Sequence, residues 1–212
     1  MNYFPLPPEA QEIPLDDYTG VLAFSGGVES TALMAWAKAR GEKIVAFNLV
    51  ISLPKPPFGP IEMWMAKQRI NAKLIAAKLD VPLIALDMQM TNLNTIRHDE
   101  PDYQNRSLQV HYIMWYLGLL HIYNPGLTNL YYGLNNTDKS AIDPVAKAKL
   151  EAVLKLMTGE SKMCTPLDKL SKKEQWDLIP PDVQPLVLTC YNKVCGDCFK
   201  CQERIDAGIP LK

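Results

Sequence analysis

With 212 residues the chain is long enough for one α/β domain with a sizeable core and, at most, a small appendage. Its 22 basic and 23 acidic side chains leave a net charge of −1, so no global field draws in nucleic acid or an anionic membrane surface, and a polyanion partner is not required. The opening segment has neither the charged nor the apolar part of an export signal, and no stretch approaches the ~18 uninterrupted apolar residues of a membrane span, so a cytoplasmic protein without a membrane partner is expected.

Residues 1–18 are rich in Pro, Glu and Asp without a period and read as an extended N-terminal arm. Val21-Leu22-Ala23-Phe24 is a short apolar run that stops at Ser25-Gly26-Gly27 and gives way to Thr31–Arg40, rich in Ala, Leu, Met and Lys: strand, tight loop, helix. Gly41 suits the helix stop, and Ile44–Leu49 reads as a second buried strand. Four prolines between Pro54 and Pro60 exclude regular structure there. A helix is predicted from Ile61 to Leu79, a third strand over Pro82–Leu86, and a polar, aperiodic loop over Thr91–Tyr103. Ser107–Tyr123 is apolar and long enough for a buried helix, Leu127–Tyr132 is a fourth strand ending at Gly133, and Asp143-Pro144 opens an amphipathic helix running to Met157. Strands and helices alternating in this order predict a doubly wound parallel sheet. Ser171-Lys172-Lys173-Glu174 has the capping-box form, and beyond Pro180-Pro181 the cysteines begin. The expected division is an arm at 1–18, a nucleotide-binding α/β domain at 19–160, and a C-terminal helical segment with a cysteine knuckle at 161–212.

The loop Ser25-Gly26-Gly27-Val28-Glu29-Ser30-Thr31 follows a strand and opens a helix, where backbone N–H groups are unpaired and the helix dipole favours an anion. Glycines let the main chain approach a diphosphate, and Ser25, Ser30 and Thr31 add hydroxyl donors. Neither the Walker A pattern nor the dinucleotide pattern of three spaced glycines is present. Taken alone, these residues also suit a plain glycine turn with Ser25 as an ordinary helix cap.

Cys190, Cys195, Cys198 and Cys201 place four thiols within twelve residues, with Gly196 available for a tight turn, while Cys164 stands apart. Four soft ligands at this spacing favour tetrahedral Zn²⁺ in a closed, structural site. The last three cysteines also match part of a ferredoxin run, but the fourth Cys followed by Pro is missing.

Phe24-Ser25-Gly26-Gly27-Val28-Glu29-Ser30-Thr31 resembles the Ser-Gly-Gly-x-Asp-Ser signature of PP-loop enzymes, which cleave ATP between its α- and β-phosphates, with Glu29 in place of the usual Asp. Thr189-Cys190-Tyr191-Asn192 with Cys195-Gly196-x-Cys198-x2-Cys201 is similar to the C-terminal zinc motif of the 7-cyano-7-deazaguanine synthases, the QueC family, in which the gap after the first cysteine is usually longer. Asn105-Arg106-Ser107 looks like the family's Gly-Arg-Asn-x segment, and Gly133 with Thr137, Asp138 and Ser140 like its Gly-x-x-x-Thr-Asp-x-Ser loop. Cys164-Thr165-Pro166-Leu167 with Lys169 and Lys172 resembles its Thr-Pro-Leu stretch before a Lys-containing helix. Two departures stand out: the second strand runs on into the proline-rich loop where the family has Tyr-Gly-Gln-x-His, and Asp143-Pro144-Val145 replaces an Asp-Cys-Arg triplet. Asp143 can face a guanine-like edge or simply cap its helix.

The resemblance implies an ATP-dependent C–N ligase that adenylates the carboxylate of 7-carboxy-7-deazaguanine and converts it with ammonia, through an amide, to the nitrile preQ0. It carries catalytic roles to Ser25, Glu29, Ser30, Arg106 and Asp138, and ATP binding to residues 24–31 with Arg106, Gly133 and Lys169; Mg²⁺ would accompany ATP, and Cys190, Cys195, Cys198 and Cys201 would hold structural Zn²⁺. Alternatives are a QueC-like ligase that stops at the amide or uses another amine, including one on a protein, a PP-loop enzyme modifying tRNA, and a nucleotide-binding module without turnover. Lys-rich helix starts such as 169–172 also occur simply as solvated surface. The aromatic pairs Trp115-Tyr116 and Tyr131-Tyr132 suit core or dimer packing, and a homodimer is expected.

Overall fold

Apolar runs bounded by glycine and proline become, among the described residues, a sheet of five strands, all parallel, in the order β3-β2-β1-β4-β5. These are β1 (Gly20–Ala23), β2 (Ile44–Ser52), β3 (Leu83–Gln89), β4 (Asn129–Tyr132) and β5 (Lys162–Cys164). The computed structural model describes residues 13–52, 60–89, 126–137, 148, 151–152, 155, 162–188, 196 and 199–211. Strand residues alternate between two cores. Leu22, Ile44, Ala46 and Tyr131 pack on one face, and Val21, Ala23, Val45, Phe47 and Leu130 on the other. Both sides of the strands are therefore apolar, which is why they read as continuous runs.

The first face is covered by α1 (Val28–Ala39), α2 (Pro60–Lys78) and a C-terminal segment contributing Trp176, Ile179, Val183, Val187 and Ile209. On the second face Leu15, in a short 3-10 turn, packs with Ile13 and Tyr18, so this part of the N-terminal arm lies on the body. Later in the chain lie α3 (Lys172–Asp177) and α4 (Phe199–Asp206). The capping box expected at Ser171 is present: Glu174 N–H donates to Ser171 Oγ, and Ser171 N–H donates to the Glu174 carboxylate. α1 stops in a Schellman arrangement, with Gly41 N–H on Lys38 O and Glu42 N–H on Ala37 O. No helix among the described residues is long and apolar enough to cross a membrane.

The structure departs from the sequence reading in several places, and Pro60, expected outside regular structure, is the first residue of α2. α1 begins at Val28, three residues before the expected start, because Gly27 is its N-cap and no side chain caps it. β5 was not expected; it is a three-residue edge strand on β4, drawn from the segment after residue 160. β2 and β3 run on to Ser52 and Gln89. The proline-rich stretch at 53–59, the polar stretch Thr91–Tyr103 and the apolar helix expected over Ser107–Tyr123 lie outside the described residues. Within the helix expected from Asp143, Ala148, Glu151, Ala152 and Lys155 are helical and exposed, and their spacing of i, i+3, i+4, i+7 marks its solvent side.

Candidate active site

The strand order reverses between β1 and β4: the chain steps outward through β2 and β3, then returns to the other side of β1. At such a switch point the loops leaving neighbouring strands diverge and open a crevice at their carboxyl ends. The two loops there are residues 24–27, after β1, and residues 133–137, after β4.

Three successive carbonyls frame the first loop. Phe24 O accepts from the buried Asn48 side chain at 2.8 Å, Ser25 O from Gln68 of α2 at 2.8 Å, and Gly26 O from Leu188 N–H at 3.1 Å. These acceptors are engaged by β2, α2 and the C-terminal segment, and the first intrahelical bond of α1 is Thr31 N–H to Gly27 O, at 3.0 Å. Gly26 adopts φ +76°, which a side chain would strain. Ser25 and Ser30 meet, their Oγ atoms 3.1 Å apart, and Ser25 Oγ also accepts from Gly27 N–H at 3.3 Å. Ser25 is thus not the helix cap but part of the loop's own bracing.

The second loop presses directly on the first. A Cβ on Gly133 would lie 2.8 Å from Glu29 C and from Ser30 N, so only glycine lets β4 end against the first turn of α1. Two residues on, the buried Asn135 has its Oδ1 held by Thr137 N–H at 2.8 Å and Thr137 Oγ1 at 2.6 Å, which directs Nδ2 onto Glu29 Oε1 at 3.1 Å. Gln175, fully buried on α3, donates to Leu134 O and Leu167 O and ties this loop to the C-terminal segment.

Glu29 Oε1 also faces Lys172 Nζ at 3.0 Å, and Lys172 pairs with Glu203 of α4 at 2.7 Å. The lysine side chain is only 10% exposed. Burial works against its charge, but the charge of Glu29 and the hydrogen bonds that the ammonium donates to Glu203 and Glu29 outweigh that, and its pKa is raised. Lys172 is held as a cation beside the glycine loop. Lys169 is exposed in the turn before α3.

A family model for Queuosine biosynthesis protein QueC matches residues 19–209. The chain belongs to the QueC family. Among its relatives are the 7-cyano-7-deazaguanine synthase of Clostridium acetobutylicum, 26% identical over 95% of this chain and 98% of that protein, and that of Phocaeicola vulgatus, 27% identical over 87% and 90%. Among solved structures, the U34-tRNA thiolase NcsA from Methanococcus maripaludis, which carries a [4Fe-4S] cluster, superposes with a TM-score of 0.55 at 15% identity. That match takes in 91% of this chain and 64% of the thiolase, and it supports the parallel α/β fold.

In this QueC-family chain the structure brings together the sequence-predicted Phe24 to Thr31 and Gly133. Arg106 and Asp138 lie outside the described residues, as do Cys190, Cys195 and Cys198. Cys201 is fully buried on α4, and Gly196, between Cys195 and Cys198, has φ +85°, a turn that suits a metal knuckle. Sequence reasoning missed Asn48, Gln68, Asn135, Gln175 and Glu203. Of these only Asn135 carried a local signal, the Asn-x-Thr pattern of a side-chain turn.

Proposed function

We propose that the chain adenylates the carboxylate of 7-carboxy-7-deazaguanine with ATP and converts it with ammonia, through the amide, to the nitrile preQ0. The observation that carries this reading is the meeting of the glycine loop and a buried cation, Lys172, at the switch point of the sheet. The family and the names of its relatives supply the substrate class.

In this reading the N–H groups at the start of α1, with Ser25, Ser30 and Thr31, bind the ATP phosphates, and Gly26 and Gly27 let the main chain close on them. Thr31 Oγ1, fully buried without a hydrogen bond among the described residues, is a donor that suits an anion nearby. A substrate carboxylate oxygen attacks the α-phosphorus and diphosphate leaves. The acid becomes electrophilic because its oxygen now departs with AMP. Ammonia adds at the carbonyl carbon, the C–O bond to AMP breaks, and the amide forms with loss of a proton. A second ATP adenylates the amide oxygen; loss of AMP and the two nitrogen protons leaves the nitrile.

Lys172 stabilises the charge of the departing diphosphate from a fixed position, a role for which a prearranged cation needs no reorganisation. Asn135 and Glu29 hold it there. Arg106, Asp138 and Lys169 are proposed as further contacts to ATP and substrate from their places in the family's motifs. Mg²⁺, when bound with ATP, neutralises phosphate charge. Of Glu29's oxygens Oε1 serves Asn135 and Lys172, while Oε2, 3.7 Å from where a Gly27 Cβ would sit, is the one on the loop side for such an ion. Cys190, Cys195, Cys198 and Cys201 are proposed to hold structural Zn²⁺.

Incubation with ATP, Mg²⁺, ammonium and 7-carboxy-7-deazaguanine, followed by mass analysis, tests the reading. Nitrile with two AMP per product is expected. Amide that never dehydrates, or coupling only to a different amine, would move the chain to the variant ligase reading, which the altered sequence after β2 suggests. No AMP with any candidate acid would overturn the enzymatic reading.

A further inference from the structure

Three successive peptides of the glycine loop are held by their carbonyls from outside: Phe24 O by Asn48, Ser25 O by Gln68 and Gly26 O by the Leu188 N–H. A trans peptide is planar, so each anchored carbonyl also fixes the opposite direction of the N–H in the same plane. Those N–H groups belong to Ser25, Gly26 and Gly27. Ser25 N–H donates to Ser30 Oγ at 3.2 Å, and Gly27 N–H to Ser25 Oγ at 3.3 Å. The Gly26 N–H has no hydrogen bond among the described residues. The fully buried Thr31 Oγ1, in the helix that follows, has none there either. A backbone donor and a buried hydroxyl at one strand-to-helix junction thus lack an acceptor, a pattern that an anion completes.

We propose that Gln68 is a positioning residue, fixing the Ser25–Gly26 peptide plane so that the Gly26 N–H donates to a phosphate oxygen of ATP. This rests on the nucleotide-binding reading above and deepens it by naming one donor and the side chain that aims it. Reversing the plane needs change only at ψ of Ser25 and φ of Gly26, and glycine offers little resistance at φ, which is +76° here. A hydrogen bond from outside must therefore choose between the two orientations. Gln68 makes that choice at 2.8 Å from the middle of α2, a helix packed on β2 and β3, and so directs the N–H away from that half of the sheet. Asn71, a turn further along, donates to Leu186 O at 2.7 Å, which fixes α2 against the segment that supplies Leu188. A reversed plane would present the Ser25 carbonyl oxygen to the phosphates and repel them. Of the three anchors only Gln68 is a partly exposed side chain; Asn48 is buried, and Leu188 acts through its main chain.

Ser25-Gly26 is the only Ser-Gly pair in the sequence, so ¹³C in serine carbonyls and ¹⁵N in glycine isolate the Gly26 amide as a single NMR correlation. Inorganic diphosphate and, separately, ATP·Mg²⁺ are titrated without acid substrate into the parent and into Gln68→Met, which keeps the side-chain length and removes the donor. In the parent the Gly26 proton is expected to move downfield in step with binding, as it gains a charged acceptor. In Gln68→Met both dissociation constants should rise about tenfold while far-UV circular dichroism matches the parent. At saturation the Gly26 signal should still reach the parent's position, because the bound anion selects the same plane. Should that variant fold poorly, Gln68→Ala removes the same donor without loss of helix propensity and must show the same rise. Unchanged affinity would overturn the role of Gln68. Weaker binding with the saturated signal displaced would show a loop altered as a whole and overturn positioning. Diphosphate binding to the parent that leaves the Gly26 signal in place would overturn the donor assignment. Binding of neither ligand by the parent would overturn the nucleotide reading itself.

Discussion

The two ends of one parallel sheet use polar residues in opposite ways. At the amino end of the strands polar groups are paired off: Tyr131 OH donates to Glu42 at 3.1 Å, and Lys38 bridges to Asp80 at 2.7 Å. A depression of about 480 Å³ lies here, lined in part by Tyr18, Lys38, Glu42 and Asp80. At the carboxyl end the loops after β1 and β4 close on each other, and a buried ammonium is held between carboxylates beside the first turn of α1. This hollow is thus at the end where the charges are already spoken for. Charge held under constraint, rather than concavity, distinguishes the functional end.

The largest effect is expected at Lys172. In Lys172→Met, Glu29 and Glu203 lose their shared cation while their side chains remain 22% and 28% exposed. The loss should be about 2–3 kcal/mol by denaturant unfolding, below the ~3–5 of a fully buried pair because water still reaches both carboxylates. ATP-dependent kcat/KM should fall about 10²–10³-fold. A variant with full turnover would move the chemistry away from this cluster.

Next come two glycines, one at each end. Gly133→Ala drives a methyl into the backbone of Glu29 and Ser30, at 2.8 Å, where nothing can rotate aside. Gly20→Ala meets the Tyr131 ring at 2.6 Å, a side chain able to shift. Both overpack, at a cost of about 1–3 kcal/mol. Only Gly133→Ala should also remove ATP turnover, since only it displaces the first turn of α1. Equal activity losses in the two variants would erase the distinction between the ends.

How far the site was legible follows the same division. The glycine loop and the strands declared themselves because their signals are local: an apolar run, two glycines, then helix formers. Lys172 lay in a stretch whose lysines also read as solvated surface, and what buries it, Glu29 and Glu203, comes from distant parts of the chain that only the fold joins. Glu203 sits in Gln202-Glu203-Arg204, where nothing marks one charged residue above its neighbours. β5 escaped notice because three residues at a sheet edge carry no period, and its partner strand decides it. The early start of α1 was hidden by Gly26-Gly27, which reads as a turn whether or not a helix begins at once.

A smaller effect belongs to Tyr131. Burial first, then the hydrogen bond and charge of Glu42, push its phenol up to about 12. The group is protonated longer in the fold than in the unfolded chain, which ionises near its ordinary value of 10.0. Its contribution is therefore complete below pH 10 and lost as pH rises toward 12, a change of about 2–3 kcal/mol in unfolding free energy. Tyr131→Phe should flatten that alkaline limb and cost about 1 kcal/mol at neutral pH for the lost hydrogen bond. Turnover at neutral pH should be unchanged, in contrast to Gly133→Ala.

The smallest effect is expected from the same substitution that opens the series, made at the other end. Lys38, like Lys172, pairs with a carboxylate at hydrogen-bond distance, and it also donates to Asp80 O at 2.9 Å. Yet Asp80 is 92% exposed, so water and salt compete for both partners and the pair gains little over its separated state. Lys38→Met should leave the melting temperature within error of the parent at both low and high salt, and turnover unaltered. The two lysine variants differ in burial and in position but share their chemistry. A loss at Lys38 approaching that at Lys172 would show that pairing itself, and not the protected setting at the carboxyl end of the strands, governs these charges.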